Sequence, residues 1–271
     1  MPELPEVEVT RLGLRPFLNL TVSGLVIRNY SLRWPIDSEL PKILKNQILL
    51  DLTRRGKYIL AKFTSGTLII HLGMSGRLCI VSSEETLNKH DHVDIKFKEN
   101  NLILRYRDPR RFGSILWTDN DPLKHKLIKN LGPEPLNDEF DAKYLFSRLR
   151  NKEQCIKNTI MDSHIVVGVG NIYASEALYY SGIRPQRRSK KVSMKEVDSL
   201  VKAIKNVIKE AIRKGGSTMS DFFDVNGKNG YFQNEHRVYG RENNACIKCQ
   251  FLITQIKLGQ RSSFYCKKCQ K

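Results

Sequence analysis

Apolar residues along this chain keep one spacing for a stretch and then another, and the character of the stretches changes near Gly132. From Pro2 to about Leu18 the pattern is helical, with Glu3, Glu6 and Glu8 placed early, where the positive end of a helix dipole favours carboxylates. Segments 57–63, 67–72, 92–97, 102–106 and 114–118 are instead rich in Ile, Leu, Val, Phe and Tyr, separated by turn clusters such as Ser65-Gly66 and Lys98-Glu-Asn-Asn. Short strands joined this way predict an antiparallel sandwich or barrel. Gly132-Pro133-Glu134-Pro135 breaks the pattern, and the chain beyond it reads as mainly helical. The clearest helix opens with Ser193-Met-Lys-Glu196, a capping box that satisfies two otherwise free backbone donors. Its apolar positions Val197, Leu200, Val201, Ile204, Val207, Ile208, Ala211 and Ile212 form one stripe, and Gly215 and Gly216 end it. The class is α+β: an N-terminal helix and β-sandwich, then a helical region, then a small C-terminal module.

A length of 271 residues, 40% of them apolar, fits two cores rather than one. Glu3, Glu6, Glu8 and Arg11 interrupt any secretory pattern at the start, and no apolar run approaches the ~18 residues of a membrane span, so the expected location is cytoplasmic and nucleoid-associated. Lys and Arg outnumber Asp and Glu by 46 to 28, a net charge of +18 that draws in a polyanion, with DNA or RNA the leading partner. The lysine-rich face of the helix after Ser193 reads as ordinary solvated surface.

Four of the six cysteines crowd the end of the chain. Cys246-x2-Cys249 and Cys266-x2-Cys269, sixteen residues apart, have the spacing with which two tight turns supply four thiolates to one structural Zn2+. Strand-forming residues from Phe251, a turn at Gly259-Gln-Arg-Ser-Ser and a return through Ser263-Phe-Tyr-Cys predict a zinc-pinned β-hairpin whose tip carries Arg261, a fixed cation suited to phosphate. Cys79 and Cys155 have no such partners and are expected to pack.

Other candidates are scattered. Removal of Met1 would leave Pro2 as a secondary α-amine beside Glu3. Such an amine titrates near ~7.7–8.0, against ~10.4 for lysine, and attack on a sugar aldehyde carbon gives a cationic iminium. The competing reading is that Pro2 and Glu3 merely open a helix. Gly168-Val-Gly-Asn171 precedes a helical stretch, and Asn171 either caps that helix or helps its N-terminus hold a phosphate. Met74 sits on a glycine-flanked turn, and Asp108-Pro-Arg110-Arg111-Phe112-Gly113 presents cations and a ring together; both loops read either as packing or as parts that fill the gap left by an extruded base. Lys57 begins a strand. His90 and His92 lack a third ligand at zinc-like spacing, which favours a phosphate contact or simple hydrogen bonding for His90.

Taken in order, MPELPEVE, RRGKY, HLGMSG, KHDHVD, DPRRFG, LGPEP, VGVGNIYASEAL, Asn234-Glu-His-Arg-Val-Tyr-Gly and QRSSFYCKKCQ resemble the bacterial formamidopyrimidine-DNA glycosylase (Fpg/MutM) family from end to end. The resemblance implies a monomer of three parts: a catalytic β-sandwich domain (1–133), a helix-two-turn-helix domain (134–235) and a zinc finger (236–271), with DNA in the cleft. It implies excision of 8-oxoguanine and formamidopyrimidines from double-stranded DNA, followed by β- and δ-elimination, which also acts at abasic sites. Pro2 then matches the nucleophile and Glu3 the acid, with Lys57 assisting β-elimination and Arg261 the δ step. Met74, Arg110 and Phe112 match the void-filling trio, and His90, Lys152 and Asn171 the phosphate contacts. The lesion-capping segment is expected within residues 217–231. Two alternatives are an endonuclease VIII-like enzyme for oxidised pyrimidines, against which Leu4 speaks, and a zinc-finger DNA-binding protein without the chemistry, against which the intact Pro2, Glu3 and Lys57 speak.

Overall fold

The computed structural model describes residues 2–217, 225 and 230–271. They fall into two compact units. Met1–Lys129 and Gly215–Tyr231 make the first, and Asn130–Lys214 and Phe232–Lys271 make the second.

The first unit begins with α1 (Leu4–Gly13). The helix ends before the expected Leu18 because Pro16 lacks the N–H that would bond Leu12, and the chain tightens into a 3-10 turn over Arg15–Phe17 instead. β1 (Val22–Ile27), α2 (Leu40–Leu44), β2 (Leu49–Arg55), β3 (Tyr58–Phe63), β4 (Thr67–His71), β5 (Arg77–Ser82), β6 (Asp91–Phe97), β7 (Leu102–Arg107) and β8 (Ser114–Thr118) follow. All their pairings are antiparallel, in two four-stranded sheets ordered β1-β6-β7-β5 and β2-β3-β4-β8. Leu25, Leu78, Val93 and Leu104 from one sheet and Leu52, Ile59, Phe63 and Ile70 from the other share a single core with Val7, Leu14 and Phe17 of the N-terminal region. This is the predicted sandwich. Five of its strands follow the apolar runs, whereas β1, β2 and β5 carry Gly24, Asp51 and Arg77 among their apolar positions and are revealed only by pairing.

Chain order and sheet order differ at one end of the sandwich. The chain leaves β4 in one sheet and enters β5 in the other, then returns from β7 to β8. His71 pairs with Ser114 and Arg77 with Arg107, so residues 72–76 and 108–113 are neighbouring corner connections anchored together at both ends.

The second unit holds α3 (Ala142–Leu149), α4 (Ile156–Ile160), α5 (Asn171–Tyr180) and α6 (Met194–Arg213), then β9 (Ile253–Leu258) and β10 (Arg261–Cys266). The Ser193 capping box forms, with Ser193 N–H donating to Glu196 at 2.8 Å, and Gly215 and Gly216 at φ +76° and +82° terminate the helix as anticipated. Every residue of α5 from Ile172 to Tyr179 is buried, with α6 and β10 packed against the helix.

Candidate functional site

At the start of α1, Glu3 occupies the N-cap position in an extended conformation and is only 3% exposed. Glu3 and Glu6 form a reciprocal capping box, each carboxylate accepting from the other's backbone N–H, with Glu3 N to Glu6 Oε2 at 2.8 Å. The second Glu6 oxygen accepts from Ser217 N at 2.8 Å, which ties the chain after α6 to the beginning of the first helix. Pro2 is buried and immediately precedes this cap.

Lys57 does not begin a strand. It lies with Gly56 (φ +57°) in the two-residue turn between β2 and β3, where a glycine takes the left-handed backbone of so tight a hairpin without steric cost. Its ammonium lies close enough to His71 to act on it: burial above all, then the charges of Lys57 and Arg33, lowers the His71 pKa to about 4. His71 is thus a neutral ring, and its Nδ1 accepts from Gly73 N at 3.0 Å.

Immediately after Gly73 comes Met74, 39% exposed at the corner. On the adjacent corner Arg110 stacks over the Phe112 ring, 4.6 Å from guanidinium carbon to centroid, and Phe112 is 43% exposed. Arg111 between them has φ +56°, a left-handed conformation uncommon for a side chain of that size. A cation and an apolar ring are thereby presented outward as one unit. His90 precedes β6, its ring edge-on to that of His92 at 6.4 Å; the latter is buried and donates through Nε2 to the Asp108 carbonyl at 2.8 Å. No metal ligand set forms around the two histidines among the described residues.

In the second unit, Asn171 is the first helical residue of α5 and not its cap. Gly170 holds the cap position, since it readily takes the extended conformation (φ −116°, ψ −155°) required there. The Asn171 amide donates to the Tyr239 hydroxyl at 3.4 Å, while its buried Oδ1 has no hydrogen-bond partner among the described residues. Tyr239 is itself fixed by Glu176, a fully buried carboxylate that accepts from the backbone N–H groups of Arg237, Val238 and Tyr239 at 2.8, 3.1 and 2.8 Å. Lys152, half-buried after α3, contributes positive potential at Asp162. Arg261 is the exposed first residue of β10, paired with Leu258 across the two-residue Gly259-Gln260 turn.

The four cysteine sulfurs converge. Cys246 and Cys269 lie 3.8 Å apart, Cys249 and Cys266 3.4 Å apart, and all four lie within 4.8 Å of one another. Four thiolates around one tetrahedral ion at about 2.3 Å require separations near 3.8 Å, so this donor set fits a metal centre.

Comparison with known proteins agrees with this arrangement. Residues 1–115 match the formamidopyrimidine-DNA glycosylase N-terminal domain and residues 131–223 the formamidopyrimidine-DNA glycosylase H2TH domain. The chain is 52% identical to the formamidopyrimidine-DNA glycosylase of Saccharophagus degradans, with full coverage of both.

The chain belongs to the formamidopyrimidine-DNA glycosylase family.

Solved members superpose closely. A Lactococcus lactis FPG variant in complex with Fapy-dG-containing DNA gives a TM-score of 0.92 at 31% identity over 100% of both chains. The Lactococcus lactis Fpg bound to abasic-site DNA gives 0.92 at 30% identity over 99% of each. In this family member the sequence reading overlooked the residues that hold others in place: Glu6, Asp108, Lys157 and Glu176. Buried Lys157 of α4 donates to Ser262 O at 2.9 Å and Ser263 Oγ at 2.7 Å, fixing the strand that starts with Arg261. A lysine inside a helical stretch carries no sign of such burial, since nearly all lysines are solvated. Apart from Ser217, Val225, Gly230 and Tyr231, the segment expected to cap the lesion lies outside the described residues.

Proposed function

We propose that this DNA glycosylase removes oxidised purines, chiefly 8-oxoguanine and formamidopyrimidines, and cleaves the strand through an iminium formed at Pro2. The observation that carries the reading is the pairing of Pro2 with a buried, capping-box-anchored Glu3 at the first turn of α1. Removal of Met1 frees the Pro2 nitrogen as a secondary amine. Its lone pair attacks C1′ of the damaged nucleotide as the glycosidic bond breaks toward the base, the proton shed by the Pro2 nitrogen neutralises the departing base, and Glu3 delivers a proton to the sugar ring oxygen as the ring opens to the iminium. The resulting iminium acidifies C2′. Loss of a C2′ proton expels the 3′ phosphate in the β step, with Lys57 assisting; a further proton loss expels the 5′ phosphate in the δ step, with Arg261 assisting. Water then releases the sugar remnant and restores the amine. The family resemblance supports this order of events, and the Lactococcus lactis complexes with Fapy-dG and abasic DNA support the substrate class.

Met74, Arg110 and Phe112 occupy the space vacated by the extruded nucleotide, with Arg110 facing the orphaned partner base. His90, Lys152 and Asn171 contact phosphates. Cys246, Cys249, Cys266 and Cys269 hold one zinc ion, whose contribution when bound is structural: it pins the hairpin that bears Arg261.

Borohydride trapping on duplexes carrying 8-oxoguanine or thymine glycol tests reaction and substrate together. Covalent capture is expected in higher yield on 8-oxoguanine, and Pro2→Gly is expected to blunt base excision severely. A crosslink mapped to a lysine, or Met1 retained in fully active protein, would overturn the assignment; equal or greater yield on thymine glycol would overturn the purine preference.

A further inference from the structure

Asp108 is completely buried, and its carboxylate joins the two corners of the sandwich. Oδ1 accepts from Ser75 Oγ at 2.6 Å and from Arg110 N at 3.3 Å; Oδ2 accepts from Gly113 N at 2.9 Å and from the Tyr106 hydroxyl at 3.1 Å. The Ser75 hydroxyl completes the link by accepting from Arg110 N at 3.1 Å. Through its main chain the same residue reaches a third loop: Asp108 N donates to His90 O at 3.0 Å, and Asp108 O accepts from His92 Nε2 at 2.8 Å.

Glycines make this convergence sterically feasible. A Cβ on Gly113 would lie 1.7 Å from the Tyr106 hydroxyl, one on Gly76 2.6 Å from the same atom, and one on Gly73 2.4 Å from the Phe112 carbonyl carbon. Burial, with Asp108 beside it, pushes the Tyr106 pKa well above its ordinary value, so its hydroxyl is a permanent donor to the carboxylate.

We propose that Asp108 is the positioning residue of base extrusion, locking the Met74 corner and the Arg110–Phe112 corner into one mutual geometry before DNA arrives. The inference rests on the void-filling reading of Met74, Arg110 and Phe112. A wedge on a mobile loop loses conformational entropy as it enters the stack, whereas a wedge already fixed by charge-assisted bonds does not. Asparagine at 108 keeps the shape but turns one acceptor into a donor that faces donors on both sides, from Ser75 and Arg110 or from Tyr106 and Gly113. The corners then lose their common anchor without a change in volume.

The test compares two substrates under single-turnover conditions with saturating enzyme. One is an 8-oxoguanine duplex, in which a stacked base must be extruded; the other carries a preformed abasic site, where the extrusion cost is least. Asp108→Asn is expected to slow excision about tenfold to hundredfold, in line with loss of charge-assisted hydrogen bonds, while strand cleavage at the abasic site stays within about twofold of the parent. Ser75→Ala and Tyr106→Phe are expected to show the same selectivity to a smaller degree, and they carry the test if Asp108→Asn does not fold. Equal losses on both substrates would assign Asp108 a general structural role and overturn the inference, as would no loss on either. Met74→Ala and Phe112→Ala are run in parallel. If those two lack substrate selectivity, the void-filling reading itself fails; if they show it while the Asp108, Ser75 and Tyr106 variants do not, only the anchoring role fails.

Discussion

At the residue scale, the proposed chemistry at the N-terminal pair falls on a side chain that already has a role in the fold. Glu3 caps α1 through its carboxylate, so its orientation is set before any substrate binds. Glu3→Gln preserves shape and an acceptor oxygen but cannot deliver the proton. It is expected to bind an 8-oxoguanine duplex with parent affinity in a gel-shift titration and to show excision reduced by about 10²-fold or more. Normal turnover would refute the acid role. Two histidines give a second prediction at this scale. Burial lowers His71 and His236 to about 4, so both are neutral in the folded state, whereas unfolded histidine titrates near ~6.5. Below that value the unfolded chain binds protons that the native one refuses. Stability is therefore fully present above pH ~6.5 and declines as pH falls toward 4, by no more than about 3 kcal/mol per histidine. His236→Phe, which keeps a ring beside Phe232 and Tyr239, is expected to flatten the decline in denaturation midpoint between pH 6.5 and 5. An unchanged slope would show that His236 does not contribute to it.

At the element scale, the hairpin β9–β10 depends on two anchors. One is the cysteine centre, whose four converging sulfurs fit a metal ion. The other is polar: Lys157 bonds Ser262 and Ser263, while Arg184 donates to Gln270 O and Lys267 O, both at 2.8 Å. Cys249→Ser, or treatment with a strong chelator, is expected to release one zinc per chain and abolish DNA affinity; unchanged affinity would sink the structural role of the ion. Lys157→Met removes the buried ammonium and leaves a hydroxyl and a carbonyl without this donor, a cost of about 1–3 kcal/mol. Amide exchange in residues 261–266 is expected to quicken while exchange in β1–β8 stays as it was, and uniform acceleration would argue against a local anchor. The elements themselves were legible to different degrees. The capping box at Ser193, the glycine stop at 215–216 and the paired cysteines each carry a local chemical signal, and each forms as the sequence implies. β2 and β5 do not announce themselves, because Asp51, Arg54 and Arg77 interrupt the apolar pattern and only hydrogen bonding to a neighbouring strand makes those segments extended. Gly170 displaces Asn171 from the cap position for a similar reason: both residue types suit a cap, and backbone geometry chose between them.

At the scale of the whole molecule, a net charge of +18 makes DNA binding strongly dependent on salt. Affinity for an 8-oxoguanine duplex is expected to fall linearly with the logarithm of salt concentration, and Arg261→Ala to lower the magnitude of that slope by about 1 without altering lesion preference. An unchanged slope would remove Arg261 from the phosphate contacts. Charge, cysteine spacing and the ordered motifs are properties of residue types at given intervals, and so the sequence by itself determined the family and the four-cysteine cluster. It could not determine which residues hold the reactive ones in place. Asp108, Lys157, Glu176 and Glu6 look like ordinary charged residues until folding buries them. Their roles follow from partners far along the chain: Ser75 lies 33 residues from Asp108, Ser263 106 from Lys157, and Ser217 211 from Glu6. Periodicity records which face of an element turns inward, but a hydrogen bond between distant loops leaves no periodic trace. Only the crossing of the chain between two sheets brings the corners at 72–76 and 108–113 side by side, and that crossing is a tertiary fact.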